Sequence, residues 1–147
     1  MSRVRRILQL PAADRLLLMQ TLLLVSLVRI GLWLLPFKTM LALAERAARR
    51  AAPAQPLDAG GAQRLVWAVA AVSRCIPAAT CLTQALAAQI LLRRQGIPAK
   101  LRIGVAKGGA GRLEAHAWLE GEQGVLIGDL PHLDRFIQLP SLDAARS

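Results

Sequence analysis

Two cysteines and two histidines are the side chains of this sequence that could carry nucleophilic chemistry: Cys75, Cys81, His116 and His132. Cys81 follows Thr80, a favoured N-cap residue, and is predicted to begin a helix. Free backbone N–H groups at a helix start favour a thiolate and can hold an oxyanion during acyl transfer. Cys75 lies near the predicted end of the preceding helix, where the dipole disfavours a thiolate, and is expected to pack. Cys81 is therefore the candidate nucleophile, with a buried structural cysteine as the alternative.

His116 lies in the middle of a predicted strand, where a facing carboxylate could fix the tautomer of its ring. If residues 113–129 form a hairpin that turns at residues 122–123, His116 is paired directly with Asp129. A bulge would break this pairing, because a shift of one residue moves Asp129 to the opposite face. Asp134 is the alternative orienting group. A helix-start cysteine, a strand histidine and a facing aspartate together predict a nucleophile, a base and an orienting residue.

Other uses of the same side chains fit the sequence less well. Five residues separate the two cysteines and fifteen separate the two histidines, unlike the short paired spacings of structural zinc sites. Two cysteines are too few for a disulfide framework, which favours a reducing, cytoplasmic compartment. His132 follows Pro131 in a predicted loop and is expected on the surface. We therefore expect no metal and no other cofactor.

An apolar stretch at residues 16–37 precedes these candidates and is long enough to cross a bilayer. Arg29 lies inside it, and a charge at the membrane centre costs about 2.5–3.5 kcal/mol. A core helix entered through Pro11, ended or kinked at Pro36 and followed by a second helix to about Arg50 is therefore favoured over a membrane anchor. A helix that lies on a membrane surface is a third interpretation.

The rest of the chain predicts helices followed by an antiparallel sheet, which is an α+β fold. Only 3% of residues are aromatic, which disfavours an all-β fold. Residues 51–61 form a linker rich in Pro and Gly, within one domain whose helical part spans 1–60 and whose catalytic core spans 61–147. Helices are predicted at 62–74 and 81–95, and strands at 99–106, 113–120, 125–130 and 136–139.

Charge is distributed unevenly along the chain. Residues 1–110 carry 16 basic and 3 acidic side chains, whereas residues 111–147 carry 3 basic and 6 acidic side chains. A basic body favours an anionic partner, although a solvated arginine-rich surface has the same composition. No basic run alternates with aromatic residues, so we expect no nucleic acid partner.

The segment TCLTQALAAQILLRRQGIPAKLRIGVAKG, followed by EAHAWLE, resembles the lasso-peptide biosynthesis B protein, a transglutaminase-like leader peptidase. The resemblance implies a transglutaminase/papain-like fold with a helical N-terminal part packed on a small sheet. It also implies a cysteine peptidase that removes the leader from a ribosomally made precursor peptide, so that a partner cyclase can close the macrolactam ring. By the resemblance, Cys81 is the nucleophile, His116 the base and Asp129 the acidic member of the triad.

Some members of this family carry an additional leader-recognition domain, whereas the leucine-rich helices begin almost at residue 1 here. The chain therefore resembles the split form, which implies three partners: the leader of the precursor, a separate leader-recognition protein and the lasso cyclase. Membrane contact is not favoured by this resemblance but stays open. The competing class is a non-enzymatic, membrane-associated scaffold or peptide-binding protein.

Overall fold

The computed structural model describes residues 3–49, 59–76 and 80–140, and the linker predicted at 51–61 falls mostly outside these ranges. Within them, five α-helices precede a four-stranded antiparallel sheet, which confirms the α+β prediction. The helices are α1 Arg3–Leu8, α2 Ala12–Leu34, α3 Phe37–Arg49, α4 Ala59–Ser73 and α5 Cys81–Arg94. The strands are β1 Lys100–Lys107, β2 Leu113–Gly121, β3 Gly124–Ile127 and β4 Ile137–Gln138, in the sheet order β3-β2-β1-β4.

The apolar N-terminal stretch forms α2, which starts directly after Pro11 and ends before Pro36, as predicted. Its inner face, which includes Thr21, Val25 and Val28, is fully buried against α4 and α5. The buried hydroxyl of Thr21 donates a hydrogen bond to the carbonyl of Leu17 at 2.7 Å, so it carries no unpaired polar group into the core. The outer face of α2 is exposed to solvent. The prediction of a core helix is therefore correct for the inner face of α2 and not for the outer face.

The centre of the molecule is α5, whose residues are buried around most of its circumference. Its core side chains are mainly alanine, with larger residues such as Leu86, Ile90 and Leu92. Small side chains allow neighbours to approach on several sides, and α2, α3 and α4 pack against α5 together with β2. This helix therefore joins the helical part of the chain to the sheet.

The end of α5 has the termination signal that the sequence predicts. Gly96 has a φ of 76°, and the N–H of Ile97 donates to the carbonyl of Leu92 at 3.0 Å. This left-handed glycine closes the last turn, and Arg93 and Arg94 lie where positive charge suits the helix dipole. The chain then enters β1 after Pro98.

The register between β2 and β3 contains a bulge, which makes the predicted His116–Asp129 pairing wrong. Glu120 is opposite Val125, but the next pair toward His116 joins Leu119 to Ile127, so Leu126 is the extra residue. The physical reason lies in the core, because the consecutive side chains of Leu126 and Ile127 both pack into it. A regular strand would send one of the two to the opposite face.

Different parts of the chain cover the two faces of the sheet. Leu119 and Ile127 belong to the main core around α5. On the other face, Trp118 and Phe136 form a second, smaller cluster. Because side chains alternate along β2, His116 lies on the same face as Trp118. The imidazole is therefore on the face opposite to the one that packs against α5.

Candidate active site

Cys81 is the first residue of α5, as predicted, and its side chain is half-buried. Thr80 caps the helix, because its hydroxyl accepts a hydrogen bond from the N–H of Thr83 at 3.3 Å. The N–H of Gln84 bonds to the carbonyl of Thr80 at 3.1 Å. Among the described residues, the N–H groups of Cys81 and Leu82 have no partner. Two donors at the positive end of a helix dipole therefore lie next to the thiol.

Cys75, the rival nucleophile, is exposed in the turn that follows α4. The prediction that it packs is wrong, because α4 already ends at Ser73 and the turn that follows exposes both Arg74 and Cys75. The Cys75 thiol lies 3.9 Å from the carbonyl of Ala71, near the negative end of the helix. Its surroundings therefore lack the N–H donors found beside Cys81.

The ring of His116 is held by two aromatic neighbours and one backbone carbonyl. Its centroid is 6.0 Å from the Trp118 ring in a nearly parallel arrangement and 5.7 Å from the Phe136 ring. Its Nε2 atom lies 2.6 Å from the carbonyl oxygen of Gly128. A carbonyl oxygen only accepts hydrogen bonds, so Nε2 carries the proton and the neutral ring keeps its lone pair on Nδ1. The imidazole is thus in the tautomer that offers Nδ1 as a base.

The acidic candidates do not contact His116. Asp129 is exposed and has no hydrogen bond or ion pair to any described residue, and the same holds for Asp134 in the turn before Phe136. The bulge places the backbone of Gly128, rather than the carboxylate of Asp129, beside the imidazole. His132 is exposed, as predicted. The role of Asp129 as the acidic triad member stays a prediction.

The thiol of Cys81 and the imidazole of His116 are not in contact. No hydrogen bond joins them within the described residues, and the ring is bonded to Gly128 instead. In the same part of the chain, β3 pairs with β2 only from Leu119 to Gly121. Beyond this ladder, Gly128 lies against Ala117 and Trp118, so the backbone that follows β3 covers this edge of β2.

A network that supports the ring was not predicted from the sequence. The indole N–H of Trp118, a residue only 1% exposed, donates to one carboxylate oxygen of Glu120 at 3.0 Å. Arg102 on β1 donates to the other oxygen at 3.1 Å. The Trp118 hydrogen bond holds the pKa of Glu120 below its ordinary value, with help from Arg102 and Lys100, although partial burial raises it. The alternation of His116, Trp118 and Glu120 on one face was the available signal.

Two glycines make room for this arrangement. Gly104 is paired with His116 across the sheet, and a Cβ there would lie 3.0 Å from both Phe136 and the Trp118 ring. Gly128 has a φ of 86°, and a Cβ there would lie 2.9 Å from the carbonyl oxygen of Ala117. Larger residues would displace either the aromatic neighbours of His116 or the carbonyl that holds its Nε2.

A groove of about 570 Å³ lies at the other end of α5, between the first turns of α4, residues 97–98 and the turn between β2 and β3. Neither Cys81 nor His116 lines it. In the part of the chain that the structure describes, no three His, Cys, Asp or Glu side chains come together as a metal site. The groove and the candidate catalytic residues are therefore separate features.

A family model described as the transglutaminase-like superfamily matches residues 22–141. The match covers more than half of the chain and includes Cys81, His116 and Asp129. No curated protein is significantly similar to the chain. No solved structure is significantly similar to it either.

Proposed function

The chain belongs to the transglutaminase-like superfamily, which includes cysteine peptidases, and from this premise we propose that it is a leader peptidase. In this proposal it removes the leader from a ribosomally synthesised lasso-peptide precursor before a partner cyclase closes the macrolactam ring. The sequence resemblance supports this substrate through the segment that begins at Thr80 and the motif EAHAWLE. The proposed partners are the leader, a separate leader-recognition protein and the cyclase, all in the cytoplasm.

The observation that carries the proposal is the position of Cys81 at the start of α5. A half-buried thiol beside N–H groups that have no partner among the described residues has both the local positive potential that favours a thiolate and the donors that an oxyanion needs. Cys75 has neither feature. Among the two cysteines of the chain, the superfamily chemistry therefore falls to Cys81.

The reaction follows from these groups. The Cys81 thiolate attacks the carbonyl carbon of the last leader residue, and the N–H groups at the start of α5 stabilise the resulting oxyanion. The protonated imidazole of His116 gives its Nδ1 proton to the leaving amine as the C–N bond breaks, leaving a thioester. Water then attacks the thioester while Nδ1 takes one of its protons, and the C–S bond breaks. This releases the leader acid, which ionises to solvent, and restores the Cys81 thiolate and the protonated imidazole.

The thiol and the imidazole must meet for this sequence of steps. Catalytic hydrogen bonds are often long in free enzymes and tighten when substrate is bound. In this proposal, substrate binding brings the thiol at the start of α5 and the imidazole of His116 together. Throughout the cycle the Gly128 carbonyl keeps Nε2 protonated, so that Nδ1 remains the atom that moves the proton.

The test is leader removal by the purified chain from a lasso-peptide precursor, in the presence of a leader-recognition protein. Cys81→Ala should abolish cleavage, because no other thiol lies at a helix start. The variant should still fold. Cys75→Ala, which removes the exposed thiol, is the matched control and should retain full activity. Cleavage by the Cys81 variant would overturn the assignment.

The mass of the leader product distinguishes hydrolysis from acyl transfer, which uses the same thioester. Hydrolysis leaves a free carboxylate on the leader, whereas transfer joins the leader to an amine. We expect the free carboxylate. A leader joined to an amine would replace the peptidase assignment by a transferase assignment.

A further inference from the structure

The outer face of α2 carries a continuous line of exposed apolar side chains along the whole helix. These residues follow one another at intervals of three or four positions, so they share one side of the helix. Their exposed fractions lie between 50% and 70%. We call them the outer stripe: Leu16, Met19, Leu23, Leu27, Ile30 and Leu34. A contiguous apolar surface of this kind on a folded domain marks an interaction site.

The packing of α2 decides what kind of partner the outer stripe can take. The helix is long and apolar enough to cross a membrane, as core helices also can be. However, its opposite side packs on α4 and α5, with Val25 and Val28 fully buried. Asp14 near its start also accepts a hydrogen bond from Arg64 of α4 at 2.7 Å. With the helix fixed to the protein body along one side, the outer stripe can only meet a surface that lies beside the domain.

The charges of α1, α2 and α3 are mostly positive. All three arginines of α1 are exposed, and α1 also exposes Val4, Ile7 and Leu8. Arg15 and Lys38 are exposed close to the two ends of α2. From α1 through α3 the chain carries eight basic and two acidic side chains. A second copy of this chain would bring two such positive surfaces together, which like-charge repulsion disfavours.

The aromatic residues at the end of α2 fit the boundary between water and lipid. Trp33 is 78% exposed, and Phe37 is exposed at the start of α3. An indole ring has an apolar body and a polar N–H, and such rings concentrate at membrane interfaces. Arginine and lysine next to an apolar helix face add attraction to anionic head groups.

We propose that α1 and the outer stripe of α2 bind the surface of an anionic lipid bilayer, with the axis of α2 in the plane of the membrane and without crossing it. Exposed apolar side chains next to exposed basic groups in the chain fit such a surface, because the apolar groups can enter the acyl region and the basic groups can contact the head groups. This inference rests on α1 and α2 and does not depend on the proposed peptidase activity.

The test is flotation of the purified, full-length chain with vesicles of phosphatidylcholine alone or with phosphatidylglycerol added. The protein should float with the anionic vesicles, and added salt should weaken binding because it screens the arginines. The double variant Met19→Gln, Leu23→Gln should lower the bound-to-free ratio at least about tenfold, since two side chains lose their burial in lipid. The triple variant Arg3→Gln, Arg5→Gln, Arg6→Gln lies away from the core and should reduce both binding and its salt dependence.

A matched control removes two equally exposed apolar side chains from the sheet. Leu113 is 76% exposed and Ile137 is 73% exposed, and the double variant Leu113→Gln, Ile137→Gln should bind the vesicles like the parent chain. The proposal is overturned if the parent chain does not float, or if both double variants lose binding equally. It is also overturned if the parent is a dimer that Met19→Gln, Leu23→Gln makes monomeric, because the outer stripe would then be a subunit interface.

Discussion

The imidazole of His116 is positioned by two aromatic rings and one backbone carbonyl. Trp118 lies along one side of the ring, Phe136 packs at an angle to it, and the Gly128 carbonyl holds Nε2. The carboxylate of Glu120 in turn fixes the indole of Trp118. Because each of these contacts restricts the ring, the direction of Nδ1 is fixed in the free protein.

Asp129 is expected to act on His116 through charge rather than through a hydrogen bond. It follows Gly128 directly, so a carboxylate here is close in sequence to the carbonyl that orients the ring. Because solvent screens an exposed charge, Asp129→Asn should lower kcat by about tenfold. Replacing a buried triad aspartate that bonds to the histidine lowers kcat by roughly 10⁴-fold. Asp134→Asn should change kcat less. Leader-cleavage kinetics of the two variants check this, and the reverse order would transfer the role to Asp134.

Glu120 links the stability of the site to pH. Its pKa is lowered in the folded protein, first by the Trp118 hydrogen bond and then by Arg102 and Lys100. A lowered folded pKa means that the ionised group contributes stability above the ordinary value of 4.5, and that this contribution is lost as pH falls through the folded pKa. Glu120→Gln should therefore lower the free energy of unfolding at pH 7 and converge with the parent in acid. Urea titrations at both pH values measure this, and a deficit independent of pH would contradict it.

The bulge between β2 and β3 is the element that decides which group meets His116. Leu126 and Ile127 both pack into the main core, and the shift that allows this brings Gly128 to the imidazole. Gly128, which has a left-handed φ of 86°, is the first residue after the end of β3. The orienting carbonyl is thus a consequence of how β3 packs.

Substitution at Gly128 should reveal this coupling between the bulge and the imidazole. Gly128→Ala adds the strain of a φ of 86° and a Cβ only 2.9 Å from the carbonyl oxygen of Ala117. Gly111→Ala is the matched control, because its φ of 73° carries similar strain but its Cβ would have open space. The control should cost about 1–2 kcal/mol of unfolding free energy, and Gly128→Ala should cost more. Urea unfolding measures both values, and equal losses would contradict the expected collision.

The sequence predicted the elements well because their signals are local. Thr80 as a cap, Gly96 as a stop and the change from helical to two-residue periodicity depend on neighbouring residues only. The register of β3 depends on whether the side chains of Leu126 and Ile127 both pack into the core. The order of apolar and polar residues along the strand does not show this, because it depends on how β3 sits against the helices. For the same reason, the contact between His116 and Gly128 could not be predicted from the sequence.

At the scale of the whole molecule, the helical part and the sheet share one central helix. The main core combines side chains of α2, α3, α4 and α5 with Leu119 and Ile127 of the sheet. The smaller cluster around Trp118 lies directly behind Leu119, on the other face of β2. Neither part has a complete core of its own, so helices and sheet should unfold together.

Leu86→Ala tests this at the centre of α5, where the side chain is fully buried in the main core. The cavity should cost about 2–5 kcal/mol and shift the unfolding of both parts equally. Circular dichroism follows the helices, and fluorescence follows Trp118 when Trp33 and Trp67, the other two tryptophans, are replaced by Phe. Both signals should change at the same urea concentration before and after the substitution. Leu113→Ala, at an exposed position, should leave the midpoint nearly unchanged. Separate transitions for the two signals would show that the sheet is a unit independent of α5.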